Sequence, residues 1–327
     1  MSVIKVALLG FGTVGEGLYE SINSHQQQLQ ALLGAEVHIA GVLIQDSEKQ
    51  RRLAEDVLVT TNFDAILNIP DLQVVFEAIV GEDPSYEYLS KAIERGCDII
   101  TANKVMFAKH GEELLRKARE YNVSIGYEAT VAGGVPVIRT IAQLLQVNRV
   151  EKIQAILNGT SNFILTEMRK NELPFETVLK SAQNLGYAEA DPSNDVEGFD
   201  AFYKLMILSN LIFGKQPDWH EVKVEGISEI SNHQIQSAHQ KNERYKHIAE
   251  IKKDGDQIIA SVGPALTNED HPLYNIEGVD NAIVIKASLA GTIAIQGPGA
   301  GSYPTASAMI EDFAHIFQNK KAAYALT

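Results

Sequence analysis

Cys97 is the only cysteine among 327 residues, so no disulfide can form within the chain. That excludes the disulfide-stapled secreted scaffolds and fits a reducing cytoplasm. Cys97 sits in RGCDII, at the entry to an apolar, β-type run, where packing in a core is expected rather than a catalytic thiol. Long apolar runs are missing too. None approaches about 20 residues, which excludes a membrane-spanning helix. The opening MSVIKVALLGFG has neither a basic n-region nor a cleavage site, and it reads as a strand rather than a signal peptide. Positive charge is scarce, with 28 Lys plus Arg against 42 Asp plus Glu, formally -14. That balance argues against a nucleic-acid or anionic-membrane surface. It leaves room for a small anionic ligand, which needs only a local site. Internal repeats and low-complexity segments are absent.

What is present is concentrated in residues 186–204, GYAEADPSNDVEGFDAFYK, where Glu189, Asp191, Asp195, Glu197 and Asp200 precede Lys204. The run 201–213, AFYKLMILSNLIF, reads as a helix that is apolar on every side, with Lys204 its only charge. Such a helix is buried, and a buried lysine requires a partner. Asp200 lies four residues earlier, on the same helix face. An ordinary surface ion pair does not explain these apolar surroundings. A calcium loop fails on Pro192 and on the late position of Gly198. The pattern predicts a polar pocket that grips an amino acid and moves a proton.

The chain before this stretch alternates strands and helices. The β-branched run 3–9 leads into Gly10-Phe11-Gly12-Thr13-Val14-Gly15 and a helical stretch to about residue 33. Strand, GxGxxG and helix form the dinucleotide fingerprint. Gly10 serves the tight turn, Gly12 lets the backbone approach a pyrophosphate, and Gly15 packs helix against strand. A second strand, 37–44, ends on Gln45-Asp46-Ser47-Glu48-Lys49-Gln50-Arg51-Arg52. Asp46 suits NAD, while Lys49, Arg51 and Arg52 suit NADP, so the tip leaves both open; it also reads as the solvated start of a helix. Strands at 74–78, 98–101 and 123–127 alternate with helices at 84–95 and 111–121, which predicts a parallel, doubly wound sheet. Lys104 falls in a loop beyond the strand ends, where ligands bind. In EATVAGGVP, residues 128–136, exposed carbonyls suit either a hard cation or a domain hinge.

After residue 150 the pattern changes. Strands are expected at 152–157, 258–262, 282–288 and 292–296, with helices up to 170, after Pro174, and at 305–318. His233, His239 and His247 fall in or near a polar, exposed stretch without metal spacing. GPGAG at 297–301 is a second glycine loop, either a cofactor approach or a connector. The expected architecture is α/β: an N-terminal Rossmann-like parallel sheet over residues 1–134, then an α+β catalytic and dimerisation domain over 135–300 with a mixed or antiparallel sheet. A C-terminal helix in 301–327 returns to the first domain.

These blocks resemble homoserine dehydrogenase over nearly the whole chain: GFGTVG at 10–15, TANK at 101–104, EATVAGGVPVI at 128–138, NGTSNFILTEM at 158–168, the acidic stretch at 186–204, and GPGAGSYPTASA at 297–308. The resemblance implies NAD(P)-dependent interconversion of L-homoserine and L-aspartate 4-semialdehyde, in threonine and methionine biosynthesis. Lys204 matches the proton-transfer lysine, and Lys104 a lysine near nicotinamide and substrate. Glu189, Asp200 and Asp195 match the substrate site. Gly10, Phe11, Gly12, Thr13, Val14, Gly15, Gly186 and Gly301 match cofactor contacts. Glu128, Val131, Gly133 and Val135 match a monovalent-cation site, commonly sodium. A cytoplasmic homodimer is implied.

Two departures stand out. Gln45 occupies the place where many members carry an NADP-favouring arginine. The chain stops where many bacterial members continue into a regulatory ACT domain, so threonine feedback through that domain is not expected. Burial lowers the proton affinity of a lysine and adjacent carboxylates raise it, so the substrate ammonium, by sharing Glu189 and Asp200, would free Lys204 to act. The competing reading is a dinucleotide-sensing module without turnover.

Overall fold

The computed structural model describes residues 2–324. The chain divides into two compact units, Met1–Gly134 with Gly301–Thr327, and Val135–Ala300. In the first unit β1 (Val3–Leu9) is followed by α1 (Thr13–Ser24), α2 (Gln26–Leu33), β2 (Glu36–Leu43), β3 (Leu58–Thr60), α3 (Phe63–Leu67) and β4 (Leu72–Glu77). Then come α4 (Ser85–Glu94), β5 (Asp98–Thr101), α5 (Lys104–Glu120) and β6 (Ile125–Gly126). All six strands are parallel, in the order β3-β2-β1-β4-β5-β6.

The apolar run of β1 does not alternate because both its faces are covered. Leu8 pairs with Val42 on one side and Phe76 on the other, and Val6, Ala7, Leu8 and Leu9 are all buried. One face packs on Leu18 and Ile22 of α1 and on Met309, Phe313 and Ile316 of the C-terminal helix, Ser302–Tyr324. Phe313 meets Phe76 edge to face at 5.6 Å. Truncating such a buried ring to alanine costs about 3–5 kcal/mol.

Three local expectations need correction. The helix expected to run to residue 33 breaks at His25. There Asn23 and Ser24 donate their side chains to the carbonyls of Tyr19 and Glu20, a local competition that loosens a helix end. Residues 46–57 form no helix, and the short β3 and α3 follow them. Helix α5 begins at Lys104 rather than at residue 111, because Asn103 caps it by accepting from the Met106 N–H at 3.1 Å. Cys97 is buried as expected, and burial pushes its thiol up.

The second unit contains α6 (Val137–Leu144), β7 (Val150–Ile156), α7 (Gly159–Asn171), α8 (Phe175–Asn184), α9 (Ser193–Val196) and α10 (Phe199–Phe213). It continues with β8 (Lys223–Val224), α11 (Asn232–His239), β9 (Arg244–Asp254), β10 (Gln257–Thr267), β11 (Asp280–Ala287) and β12 (Gly291–Pro298). Its sheet runs β12-β11-β7-β9-β10-β8 and is mixed, antiparallel except for the β10–β8 pair. Strand β9 was not expected. Its charged ends mask a buried middle of Ile248, Ala249 and Ile251. His247, expected at the surface, sits in this strand and is 2% exposed. Among the described residues no helix is long and apolar enough to cross a membrane.

Candidate active site

The first unit holds a cavity of about 580 Å³ at the carboxyl ends of its strands. Gly10, Phe11 and Gly12 after β1, Leu43 to Asp46 at the end of β2, and Ala78 to Val80 after β4 line it. This is where the strand order reverses, the position at which such sheets bind ligands. The three glycines differ in what they permit. Gly10 has φ +94°, and a Cβ there would lie 2.8 Å from the Ala78 carbonyl oxygen. A Cβ on Gly15 would lie 2.2 Å from the Gly10 carbonyl oxygen. Gly12 faces open space, and as the N-cap of α1 it contributes no side-chain bond, which leaves the first-turn amides for an anion. This cradle fits the pyrophosphate of a dinucleotide. Thr13 and Val14 form the first turn of α1, and Phe11 packs edge to face on Tyr19 at 5.8 Å. Gly301, at φ +119°, directly precedes the C-terminal helix, whose Ser302 hydroxyl donates to the Thr13 carbonyl at 2.7 Å. The end of the second glycine loop is thus joined to the first.

The basic tip also lines the cavity, through Gln45, Asp46, Lys49 and Arg51. Arg51 Nη1 donates to the carbonyls of Asp46 (2.7 Å) and Lys49 (2.6 Å), which braces the tip without a helix. Asp46 Oδ1 accepts from the Glu48 N–H at 2.8 Å. Lys104, the first residue of α5, is half-buried.

The second unit assembles the acidic stretch around Lys204. Helix α10 is set off by Gly198 at φ +89° and stopped by Gly214 at φ +68°. Between them Lys204 and Asp200 are 7% and 3% exposed. Lys204 Nζ donates to Asp200 Oδ2 at 2.7 Å and to the Leu157 carbonyl at 2.6 Å. Two asparagines that sequence reading did not place in the site complete it. Asn158 Nδ2 donates to Asp195 Oδ1 at 2.7 Å and to Asp200 Oδ2 at 2.9 Å, while its Oδ1 caps α7 through the Ser161 N–H at 2.8 Å. Asn281 Nδ2 shares the Leu157 carbonyl at 3.0 Å. A Cβ on Gly299 would collide with that amide at 2.0 Å, so the second glycine loop closes on Asn281. The sequence signal for Asn158 was present but ambiguous, since it read only as an N-cap. Asn281 gave no signal.

Lys204, Asp200 and Asp195 are therefore in one network. Glu189 is not in it: the side chain is exposed and makes no hydrogen bond or ion pair among the described residues. Gly186, exposed at φ +76°, ends the turn after α8. Glu128 and Val131 are buried, and the Glu128 N–H donates to Asp312 Oδ2 at 2.8 Å. Gly133 follows at φ +53°, and Val135 is the first residue of the second unit. Buried carboxylate and carbonyl oxygens are the donor set a hard cation takes. Among the described residues no group of three or more His, Cys, Asp or Glu could hold a metal ion.

Family models for the homoserine dehydrogenase NAD-binding domain and for homoserine dehydrogenase match residues 10–128 and 136–314. Homoserine dehydrogenase of Bacillus subtilis is 42% identical over 98% of this chain and 74% of the relative. An NAD(+)-dependent homoserine dehydrogenase of Pseudomonas canavaninivorans is 36% identical over 98% of this chain and 97% of the relative. A crystal structure of a Thiobacillus denitrificans homoserine dehydrogenase superposes with a TM-score of 0.93 at 37% identity, over 98% of this chain and 75% of the other. With the glycine cradle and the Lys204 network, these matches establish that the chain belongs to the homoserine dehydrogenase family.

Proposed function

We propose that Lys204 carries the proton in the NAD(P)-dependent interconversion of L-homoserine and L-aspartate 4-semialdehyde, the reaction of this family. The observation behind this is the buried amine gripped by Asp200 and the Leu157 carbonyl. When bound in the first-unit cavity, the dinucleotide supplies the hydride acceptor or donor. Lys204, as an amine, takes the hydroxyl proton of homoserine; as an ammonium, it protonates the alkoxide formed from the aldehyde. Help of this kind is worth about 10²–10⁴ in rate. Asp195 and Asp200, tied together by Asn158, offer carboxylate oxygens to the substrate ammonium, and exposed Glu189 is available to join them. Lys104, at the start of α5, acts beside the nicotinamide and substrate. Phe11, Thr13, Val14, Gly186 and Gly301 contact the cofactor. Glu128, Val131 and Gly133, followed by Val135, supply hard oxygen donors for a sodium ion. The chain works as a cytoplasmic homodimer, as the resemblance implies; the lone buried thiol fits a reducing compartment.

A dinucleotide-sensing module without turnover is not favoured, since sensing gives no use to a buried amine beside two bridged carboxylates. The test is nicotinamide absorbance with L-homoserine and NAD or NADP in parallel, and with the aldehyde in reverse. Reduction of either cofactor is expected. Cofactor binding without turnover in both directions would return the sensing module to first place.

A further inference from the structure

One fully buried carboxylate of the first unit accepts four hydrogen bonds and belongs to a residue the reaction does not use. Glu77, the last residue of β4, is 0% exposed. Its Oε1 accepts from the Ile79 N–H at 2.8 Å, the Ser85 hydroxyl at 3.0 Å and the Asn103 amide at 3.3 Å. Its Oε2 accepts from the Thr101 hydroxyl at 2.6 Å. No cation pairs with it in these bonds, and burial pushes its carboxyl above the usual range while the four donors pull it back. A buried acid is costly unless it is hydrogen-bonded, and here the four donors that offset the cost come from the segments around it.

What it organises is specific. Ile79 is part of the cavity wall, in the segment 78–80 that follows β4. Ser85 opens α4, and Thr101 ends β5. Asn103 caps α5, where Lys104 is the first residue, and its Nδ2 also donates to the Gly81 carbonyl at 2.6 Å. One carboxylate thus joins the loop that walls the cavity to the helix start that carries Lys104.

We propose that Glu77 is a positioning residue for the dinucleotide, acting through Ile79 and Asn103 to hold the 78–81 loop and the start of α5 in one arrangement. This rests on the dinucleotide reading of the cavity, so binding is measured directly by titrating nicotinamide fluorescence of the reduced cofactor, with L-homoserine KM at saturating cofactor as the control. In Glu77→Ala the four donors lose their acceptor, and dinucleotide Kd is expected to rise about tenfold or more. The homoserine KM rises less than the dinucleotide Kd, since the Lys204 network contains none of these groups and only Lys104 links them to the substrate. Glu77→Gln keeps the three-donor oxygen and asks only that the Thr101 hydroxyl turn, so its Kd stays within about threefold of the parent. If Glu77→Ala does not fold, Thr101→Val, near-isosteric but without the hydroxyl that donates to Glu77 and accepts from the Asn103 N–H at 3.0 Å, carries the test with a rise of about threefold. Parent-like Kd in a folded Glu77→Ala, or in Thr101→Val where that is the variant used, overturns the proposal. So does an equal loss of dinucleotide and homoserine affinity, which would mark a general structural role. A parent that binds no dinucleotide overturns the cavity reading first, and this proposal with it.

Discussion

Lys204 and Asp200 meet at 2.7 Å one turn apart on α10, both buried, and the same ammonium also holds the carbonyl of Leu157 at the end of β7. An i, i+4 pair at a helix surface is worth a few tenths of a kcal/mol. This one is out of water, where each charge depends on the other. Its position trades stability for an amine kept in a single orientation.

Lys204→Ala should therefore lower kcat by about 10²–10⁴ while dinucleotide Kd stays unchanged. It also strands Asp200, at a cost of about 3–5 kcal/mol in denaturant unfolding. Lys204→Met combined with Asp200→Asn should recover much of that stability and none of the activity. Recovery of both would remove Lys204 from proton transfer.

Asn158 separates helix capping from substrate chemistry. Asn158→Asp retains the cap acceptor for the Ser161 N–H. It also replaces the donor between Asp195 and Asp200 with a third carboxylate. We expect kcat/KM for homoserine to fall about tenfold or more, with dinucleotide affinity unchanged in a fluorescence titration. Unaltered steady-state kinetics would show that the bridging amide has no part in the site.

The tip after β2 lines the dinucleotide cavity through Gln45, Asp46, Lys49 and Arg51, so substitutions there should shift the choice between the two cofactors. Gln45→Arg should raise the ratio of kcat/KM with NADP to that with NAD by about tenfold, by supplying a charge-assisted partner for a phosphate. Lys49→Ala should lower it. If neither ratio moves, the extra phosphate binds elsewhere.

Stability should fall with acid through His247. Its Nε2 lies 2.9 Å from the Glu225 carbonyl, its Nδ1 is buried without a partner, and burial holds its pKa below the ordinary 6.5. A histidine depressed in the fold prefers to be neutral there. Its contribution is complete above the unfolded pKa and is lost as pH falls below about 6.5. In urea unfolding, His247→Gln should flatten this loss. A variant whose midpoint follows the parent's pH dependence would assign the acid effect to other groups.

Much of this was legible in the chain itself. GFGTVG after a β-branched run specified the cradle because only glycine tolerates the φ of residue 10 and the backbone approach at residue 15. An all-apolar helix with one lysine placed Lys204 in a core, and the four-residue spacing placed Asp200 against it. The gaps also have physical causes. The start of α5 was missed because Asn103 reads as a loop residue until its side chain is seen capping the helix. Strand β9 was missed, and His247 misplaced, because charged strand ends hid a short buried centre.

Local sequence therefore determined which residues could do chemistry: glycines where the backbone must come close, and an ammonium and carboxylates at helical spacing. Beyond the Lys204–Asp200 pair, the tertiary structure decided which of them meet. Leu157, Asn158 and Asn281 join Lys204 because antiparallel pairing sets β7 beside β11, with Ala282 opposite Ile156. Glu77 meets Thr101 and Asn103 because the parallel pairing of β4 and β5 sets its residue opposite Thr101. Such contacts arise from pairing between strands distant in the chain, and no spacing along the sequence encodes them.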